Sequence, residues 1–248
     1  MAFCTTGVLA GVSTTMSRVL DIERRQALLA KSSLFQGLPE SLVDDMARGA
    51  IGRELEAGEL VFRKNDPTDF AALVVEGLIY AIVYGPDGRE LILDSAEAGQ
   101  SIGESALLGA HCHYFSAVAA GAAIVLLLRR CHLLRLMTEP AFIDRVLSLL
   151  ARRVSRSALA LETLCLYSLE SRLARYLLDL AERSGDVADG VRVVLPKTQT
   201  ILAAMLNASR PKINAMLQDW QRSGLIDRMR NELTINDLAE LRRRAWSE

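Results

Sequence analysis

The apolar pattern of this chain changes its period twice, and that limits the fold to a mixture of separate α and β parts. Across residues 51–135 the apolar residues come in short runs: Leu60-Val61-Phe62, Ala72-Leu73-Val74-Val75, Ile79-Tyr80-Ala81-Ile82-Val83, Leu91-Ile92-Leu93 and Ala123-Ile124-Val125-Leu126-Leu127-Leu128. Turn formers separate them, among them Gly58, Asn65-Asp66-Pro67, Gly77, Gly85-Pro86-Asp87-Gly88, Gly99 and Gly103. Strands this short with turns this frequent roll into a small antiparallel barrel or sandwich. Residues 22–48 have helical spacing, broken at Ser33-Leu34-Phe35-Gln36-Gly37-Leu38-Pro39, where Pro39 suits the start of a second helix. From about Glu139 to Leu164 the helical period returns. Leu147, Leu150, Val154, Ser157, Leu161 and Leu164 follow alternating steps of three and four, a heptad seam with Arg152, Arg153, Arg156 and Glu162 on its other side. Such a stripe packs on the chain's own barrel or zips to a second copy. The second reading is preferred, with the small Ser157 where something polar approaches the interface.

Further on, a second helix is expected from Leu169 to about Glu182, then a loop over 184–190 and a strand over 191–195. The stretch TQTILAAMLNASRPKINAMLQDW, Thr198 to Trp220, predicts two short helices joined by a tight turn. Ile201, Leu202, Met205 and Leu206 fall at helical spacing, as do Ile213, Met216 and Leu217. Ser209 suits a helix N-cap, and Pro211 is tolerated because the first turn needs no backbone donor. Arg210, Lys212 and Asn214 then stand at the end of the second helix that a helix-turn-helix directs at base edges and phosphates. Arg210 is the candidate base reader, since a bidentate arginine reads guanine. Thr198, Gln199 and Ser209 are candidate phosphate or positioning contacts. Two strand-like segments, Gly224 to Asp227 and Leu233 to Ile235, predict a wing whose basic tip, Arg228 and Arg230, touches phosphates or the neighbouring minor groove. Asn236 is expected to cap a last helix ending in Arg242-Arg243-Arg244, a solvated run.

The 248 residues suggest one large or two modest domains, and half of them are apolar, enough for real cores. The net charge of −1 conceals a division: from Ser171 onward 13 Lys+Arg face 10 Asp+Glu, a balance of +3, and the remainder stands at −4. Nucleic-acid affinity would therefore come from a local patch and from pairing of subunits. Cys4, Cys112, Cys131 and Cys165 lie far apart without a Cys-x-x-Cys pair, so neither a zinc cluster nor a disulfide framework is expected. Reduced thiols imply a cytoplasmic protein. The longest apolar run, residues 117–128, is too short to span a bilayer. Residues 1–20 are expected to be a floppy extension, or Met16 the native start, and the first fifteen make a poor signal peptide. An enzyme is not expected, for want of a Ser/His/Asp arrangement or a phosphate-cradling Gly loop followed by Lys.

Taken in order, barrel, long helix and winged helix resemble the bacterial transcription regulators of the Crp/Fnr family, which includes the cyclic-AMP receptor protein and the fumarate-and-nitrate-reduction regulator. The resemblance covers about Leu34 to Ala245. In the barrel it rests on Leu34-Phe35-x-x-Leu38, Ala57-Gly58-Glu59-x-Val61-Phe62, Asn65-Asp66, Leu73-Val74-Val75-Glu76-Gly77, Asp87-Gly88-Arg89-Glu90, Ala98-Gly99-Gln100 and Gly103-Glu104-x-x-Leu107. It implies an α+β chain in four parts: the extension (1–20), an antiparallel β-roll sensor domain like those that bind cyclic nucleotides (21–138), a dimerisation helix (139–165) and a winged helix-turn-helix (166–248). It further implies a homodimer on palindromic double-stranded DNA, RNA polymerase as a partner, and no membrane.

The resemblance also implies an effector pocket at Gly103, Glu104, Phe115, Ser116 and, from the dimer helix, Ser157. In family members that bind a cyclic nucleotide, the Glu accepts from a ribose hydroxyl and an Arg-Ser/Thr-Ala element clamps the phosphate. Ser116-Ala117 matches the end of that element, but the preceding position is Phe115. Arginine pairs bidentately with phosphate and phenylalanine does not, so gating by cyclic AMP is not expected. No cofactor or metal is expected. His111-Cys112-His113 leaves haem open as an alternative ligand set, within an effector-gated regulator holding a small ligand or haem in the β-roll. The other alternative is a nucleotide-sensing module that does not bind DNA.

Overall fold

A computed structural model describes residues 20–185 and 188–246. The expected N-terminal extension, Cys4 and part of the 184–190 loop lie outside the described residues, except that Leu20 is inside and buried. Two compact units emerge, one of residues up to Ile79 with Ala96–Ile143, the other of Tyr80–Ser95 with the chain from Asp144 onward.

The chain enters the first unit through α1 (Ile22–Lys31) and α2 (Glu40–Gly49). Asp21 caps α1 by accepting from the Arg24 N–H at 2.7 Å, and Pro39 takes the N-cap position of α2. Eight strands follow: β1 (Ile51–Leu55), β2 (Leu60–Phe62), β3 (Phe70–Glu76), β4 (Leu78–Tyr84), β5 (Glu90–Glu97), β6 (Ser101–Ile102), β7 (Ser116–Ala119) and β8 (Ala123–Arg129). They form two sheets, β1-β8-β3-β6 and β2-β7-β4-β5, the expected β-roll. In the first, β3 pairs antiparallel with both β8 and β6, placing Ala72 opposite Leu127 and Ile102. The apolar runs marked β2, β3, β4, β5 and β8. They did not mark β1, β6 and β7, whose residues are charged, short or small. A helix, α3 (Arg130–Leu136), starts directly after β8, which corrects the expectation of β structure as far as Arg135. Its polar opening, Arg130-Cys131-His132, hides the helical spacing of the buried Leu133 and Leu136.

The long helix α4 (Pro140–Leu166) has 27 residues. Within the second unit Asp94 of β5 pairs with Arg153 at 3.7 Å and Arg156 at 3.0 Å on α4. After Tyr167, Ser168 caps α5 (Leu169–Ser184) by accepting from the Ser171 N–H. Then come β9 (Val191–Val194), α6 (Gln199–Met205), α7 (Arg210–Arg222), β10 (Ile226–Met229), β11 (Glu232–Ile235) and α8 (Leu238–Ala245). The three strands pair in the order β10-β11-β9, making the wing and its base. Leu173 and Leu177 of α5, Leu202 of α6, Ile213, Leu217 and Trp220 of α7 and Leu241 of α8 meet in one core. Two expectations about the last helix change. Its N-cap is Asp237, which accepts from the Glu240 N–H, while Asn236 donates to the Gly224 carbonyl and to Asp227. Arg244 is not merely solvated: it pairs with Glu170 at 2.7 Å and Glu240 at 2.9 Å.

Trp220 is almost fully enclosed, and its indole N–H reaches Glu170 at 3.4 Å. Truncation there leaves a large cavity that the surrounding helices fill only in part. Trp220→Ala is expected to cost about 3–5 kcal/mol, read as a lowered urea midpoint for the winged-helix unit.

Candidate functional site

The α6–α7 pair is shaped by what each helix can bury. Leu202 and Ala203 of α6 and Ile213, Leu217 and Trp220 of α7 go into the core. The turn between the helices passes through Asn207 at φ 47°, a left-handed position that asparagine tolerates better than most residues, and the Ala208 N–H closes back on the Ala203 carbonyl at 2.9 Å. Burial of one face of α7 turns the opposite face outward: Arg210 and Lys212 are exposed, and Asn214 is half-buried one turn beyond Arg210 on the same side. Ser209 holds the N-cap backbone position, but among the described residues its hydroxyl makes no capping bond. A cap accepts from the second or third helical N–H, and the second position here is Pro211, which has none.

At α6, the exposed Thr198 caps the helix by accepting from the Ile201 N–H at 3.2 Å. The Gln199 amide next to it meets two other elements: its end stands 2.8 and 3.1 Å from the terminal nitrogens of Arg228 and 3.0 Å from the Asn214 amide. Arg228 is thus not at the wing tip, as expected from sequence, but within β10, and its Nε donates to the Arg230 carbonyl at 3.2 Å. Arg230 forms the tip at φ 56°, exposed. Between wing and α6 lies a groove of about 400 Å³ lined by Leu195, Pro196, Lys197, Thr198, Gln199, Leu202, Arg228, Arg230 and Asn231. Of these described lining residues three are cationic and none acidic, so the groove favours an anion such as a backbone phosphate. Lys197 and Asn207 escaped the sequence reading. The signal for Asn207 was present, an asparagine between two helical stretches; Lys197 carries none beyond its charge.

Along α4 the seam is bare. Leu147, Val154 and Leu161, seven residues apart, are 59%, 69% and 62% exposed. Ser157 is exposed as well, together with Ala151, Ala158 and Cys165, whereas Leu150 and Leu164 are half-buried.

In the β-roll, Gly103 at φ 89° leads into a short 3₁₀ turn, Glu104–Leu107. Glu104 is buried and accepts from the Ser101 hydroxyl at 2.5 Å. The buried Ser116 accepts from the Lys64 N–H at 3.0 Å. His113 is fully buried and stacks on Phe62 with ring centroids 3.6 Å apart, and the half-buried Phe115 lies 5.7 Å from the same ring. A side chain at Gly103 would meet Phe62 at 3.0 Å and His113 at 3.3 Å. Of the expected pocket set, the structure places Gly103, Glu104, Phe115 and Ser116 in the first unit and Ser157 on α4 in the second. His111 is exposed while His113 is enclosed, and among the described residues no group of three or more His, Cys, Asp or Glu could hold a metal ion.

Two family models match the chain: the Crp-like helix-turn-helix domain over residues 171–244 and the cyclic nucleotide-binding domain over residues 52–139. The chain is also 30% identical to the transcriptional regulator LdrP of Thermus thermophilus, over 76% of this chain and 94% of the relative. The chain belongs to the Crp/Fnr family of transcription regulators. Within that family it is 28% identical to the CRP-like cAMP-activated global transcriptional regulator of Mycobacterium tuberculosis, over 88% of this chain and 98% of that one. A solved CRP-family transcriptional regulator from Thermus thermophilus shares the fold with a TM-score of 0.64 at 27% identity, covering 79% of this chain and 97% of that one.

In this Crp/Fnr chain the Gly103 turn of the β-roll is packed by the rings of Phe62 and His113, and His113 has a measurable consequence. Burial holds its imidazole down at about 4, against an ordinary 6.5, and the charges of Asp66 and Asp69 offset this only in part. Its Nε2 has no hydrogen-bond partner among the described residues. Below pH 6.5 the unfolded chain therefore binds a proton that the folded chain refuses. Stability from this group is whole above pH 6.5 and declines as the pH falls toward about 4. The gap between those two values corresponds to roughly 3 kcal/mol. Thermal melting of the full chain is expected to drop across that window, and His113→Phe, which keeps the stack without the titrating nitrogen, to flatten the drop.

Proposed function

We propose that this Crp/Fnr regulator binds palindromic double-stranded DNA in a sequence-specific manner as a homodimer, without gating by cyclic AMP. Exposed Arg210 and Lys212 at the start of α7, a helix whose other face is locked in a core, carry the DNA-binding reading. A helix held that way can enter a major groove with its N-terminal residues at the base edges. The bare seven-residue stripe of α4 supports pairing with a second copy, because apolar side chains repeating at that interval are what a two-stranded coil buries. Two-fold pairing would set the recognition helices about one DNA turn, roughly 34 Å, apart. RNA polymerase is the partner such a DNA-bound dimer would meet at a promoter, and the dispersed thiols suit the cytoplasm.

The β-roll supports an effector other than a cyclic phosphate, or none. Phe115 stands where the phosphate-clamping arginine would be, Glu104 is buried against Ser101, and Phe62 and His113 press against Gly103. An anionic ring placed there would meet aromatic carbon in place of its counter-charge. The chain is proposed to work without haem or any other resident cofactor, since His111 and His113 face different environments.

Quantitative binding to a palindrome selected from random DNA tests the reading. Arg210→Ala is expected to lose about 1–3 kcal/mol and its preference at one position of each half-site, while Lys212→Ala weakens all sequences alike and lowers the salt slope by about 1. Equal loss on every sequence for Arg210→Ala would refute its base-reading role. Val154→Glu, which places a charge on the bare stripe of each subunit, is expected to give folded monomers in sedimentation and to abolish palindrome binding. A wild-type chain that sediments as a monomer at micromolar concentration would sink the dimer. Titration calorimetry with cyclic AMP is expected to show no saturable heat, and tight binding would overturn the reading of Phe115.

A further inference from the structure

We infer that Arg228 is a positioning residue for base reading: acting through Gln199, it fixes which way the Asn214 amide faces and makes Asn214 an adenine reader. The inference rests on the DNA-binding reading above and extends it to three residues from three elements. Arg228 belongs to the wing strand β10, Gln199 opens α6, and Asn214 lies on α7 one turn past Arg210 on its outward side.

A guanidinium only donates hydrogen bonds, so the atom of Gln199 that stands 2.8 and 3.1 Å from Arg228 is its amide oxygen. That same atom lies 3.0 Å from the Oδ1 position of Asn214, and two amide oxygens cannot bond each other, so the Asn214 amide is turned together with that of Gln199. An oxygen cannot donate, so Asn214 must direct an N–H toward it. One N–H of Asn214 is thereby spent, leaving its other N–H and its carbonyl oxygen. That is the donor–acceptor pair that matches adenine N7 and N6 in the major groove. Without the guanidinium, the Gln199 oxygen keeps only the Asn214 amide as a partner among the described residues. Its amide can then rotate and donate to the Asn214 oxygen, which interchanges the donor and acceptor ends of the Asn214 amide, so that in the same docked position they no longer meet adenine N7 and N6 in the right order. Arg228 is itself kept in line by its bond to the Arg230 carbonyl, so the wing backbone takes part in the relay.

The test is selection of bound DNA from a random pool by the full chain and three variants, with melting curves to confirm that each is folded. Wild type is expected to prefer adenine by about tenfold at one position of each half-site, and Asn214→Ala to identify that position by abolishing the preference. Arg228→Ala should lose the same preference at the same position. In the double variant Arg228→Ala with Gln199→Glu, the carboxylate can only accept, so Asn214 keeps donating to it without the guanidinium. Adenine preference should return, although the added negative charge lowers binding to all sequences. The relay is overturned if Arg228→Ala keeps every base preference and only weakens binding uniformly with a salt slope lower by about 1, the behaviour of a plain phosphate contact. It is equally overturned if Asn214→Ala leaves a wild-type motif unchanged. A wild-type chain that enriches no sequence overturns the DNA-binding reading itself.

Discussion

Ile213, Leu217 and Trp220 are enclosed in the winged-helix core, and a helix that buries one stripe has no choice about what it shows on the other. With those three side chains inward, Arg210, Lys212 and the half-buried Asn214 are turned outward. The core of this unit draws on α5, α6, α7, α8 and all three strands, so the direction of α7 is held from several sides at once. The cationic groove between the wing and α6, and the contact of Gln199 with Arg228, exist because this packing brings β10 against the start of α6.

The β-roll shows the opposite relation between packing and function. Its turn at Gly103 retains the glutamate and serine of a cyclic nucleotide-binding domain, yet those polar groups are engaged within the protein, Glu104 with Ser101 and Ser116 with the Lys64 backbone. The rings of Phe62 and His113 lie against the glycine where a close backbone approach was available. A buried imidazole whose Nε2 finds no partner among the described residues is an expensive way to fill space, and its charged form is disfavoured there. The chain is 28% identical to a cAMP-activated regulator, and the proposal that its own pocket has changed rests on these internal contacts and on Phe115. Conservation of a fold does not carry a ligand with it.

Much of the architecture was legible from local pattern. The apolar stripes of α5 and α7 and the heptad of α4 are properties of residues three and four apart, and the long strands β3, β4 and β8 announce themselves as apolar runs. The elements that were missed lack such signals: β7 is built of small residues, β6 is a single pair, and α3 opens with Arg130-Cys131-His132. Along α4 the heptad residues Leu147, Val154 and Leu161 are exposed, and Leu150 and Leu164 are half-buried. A heptad pattern states that a stripe exists; which edge of it turns inward depends on what the helix lies against.

Arg210 and Lys212 at a helix start could be named from spacing, because capping and periodicity act over a few neighbouring residues. The family could be named from the order of motifs. The meeting of Gln199, Asn214 and Arg228 could not, since nothing in their separate neighbourhoods refers to the others. Nor could the enclosure of His113 under Phe62, about fifty residues apart in the chain. Local chain geometry determines the type of each element, but convergence of distant side chains is set by how the elements pack, and only the tertiary structure decided it.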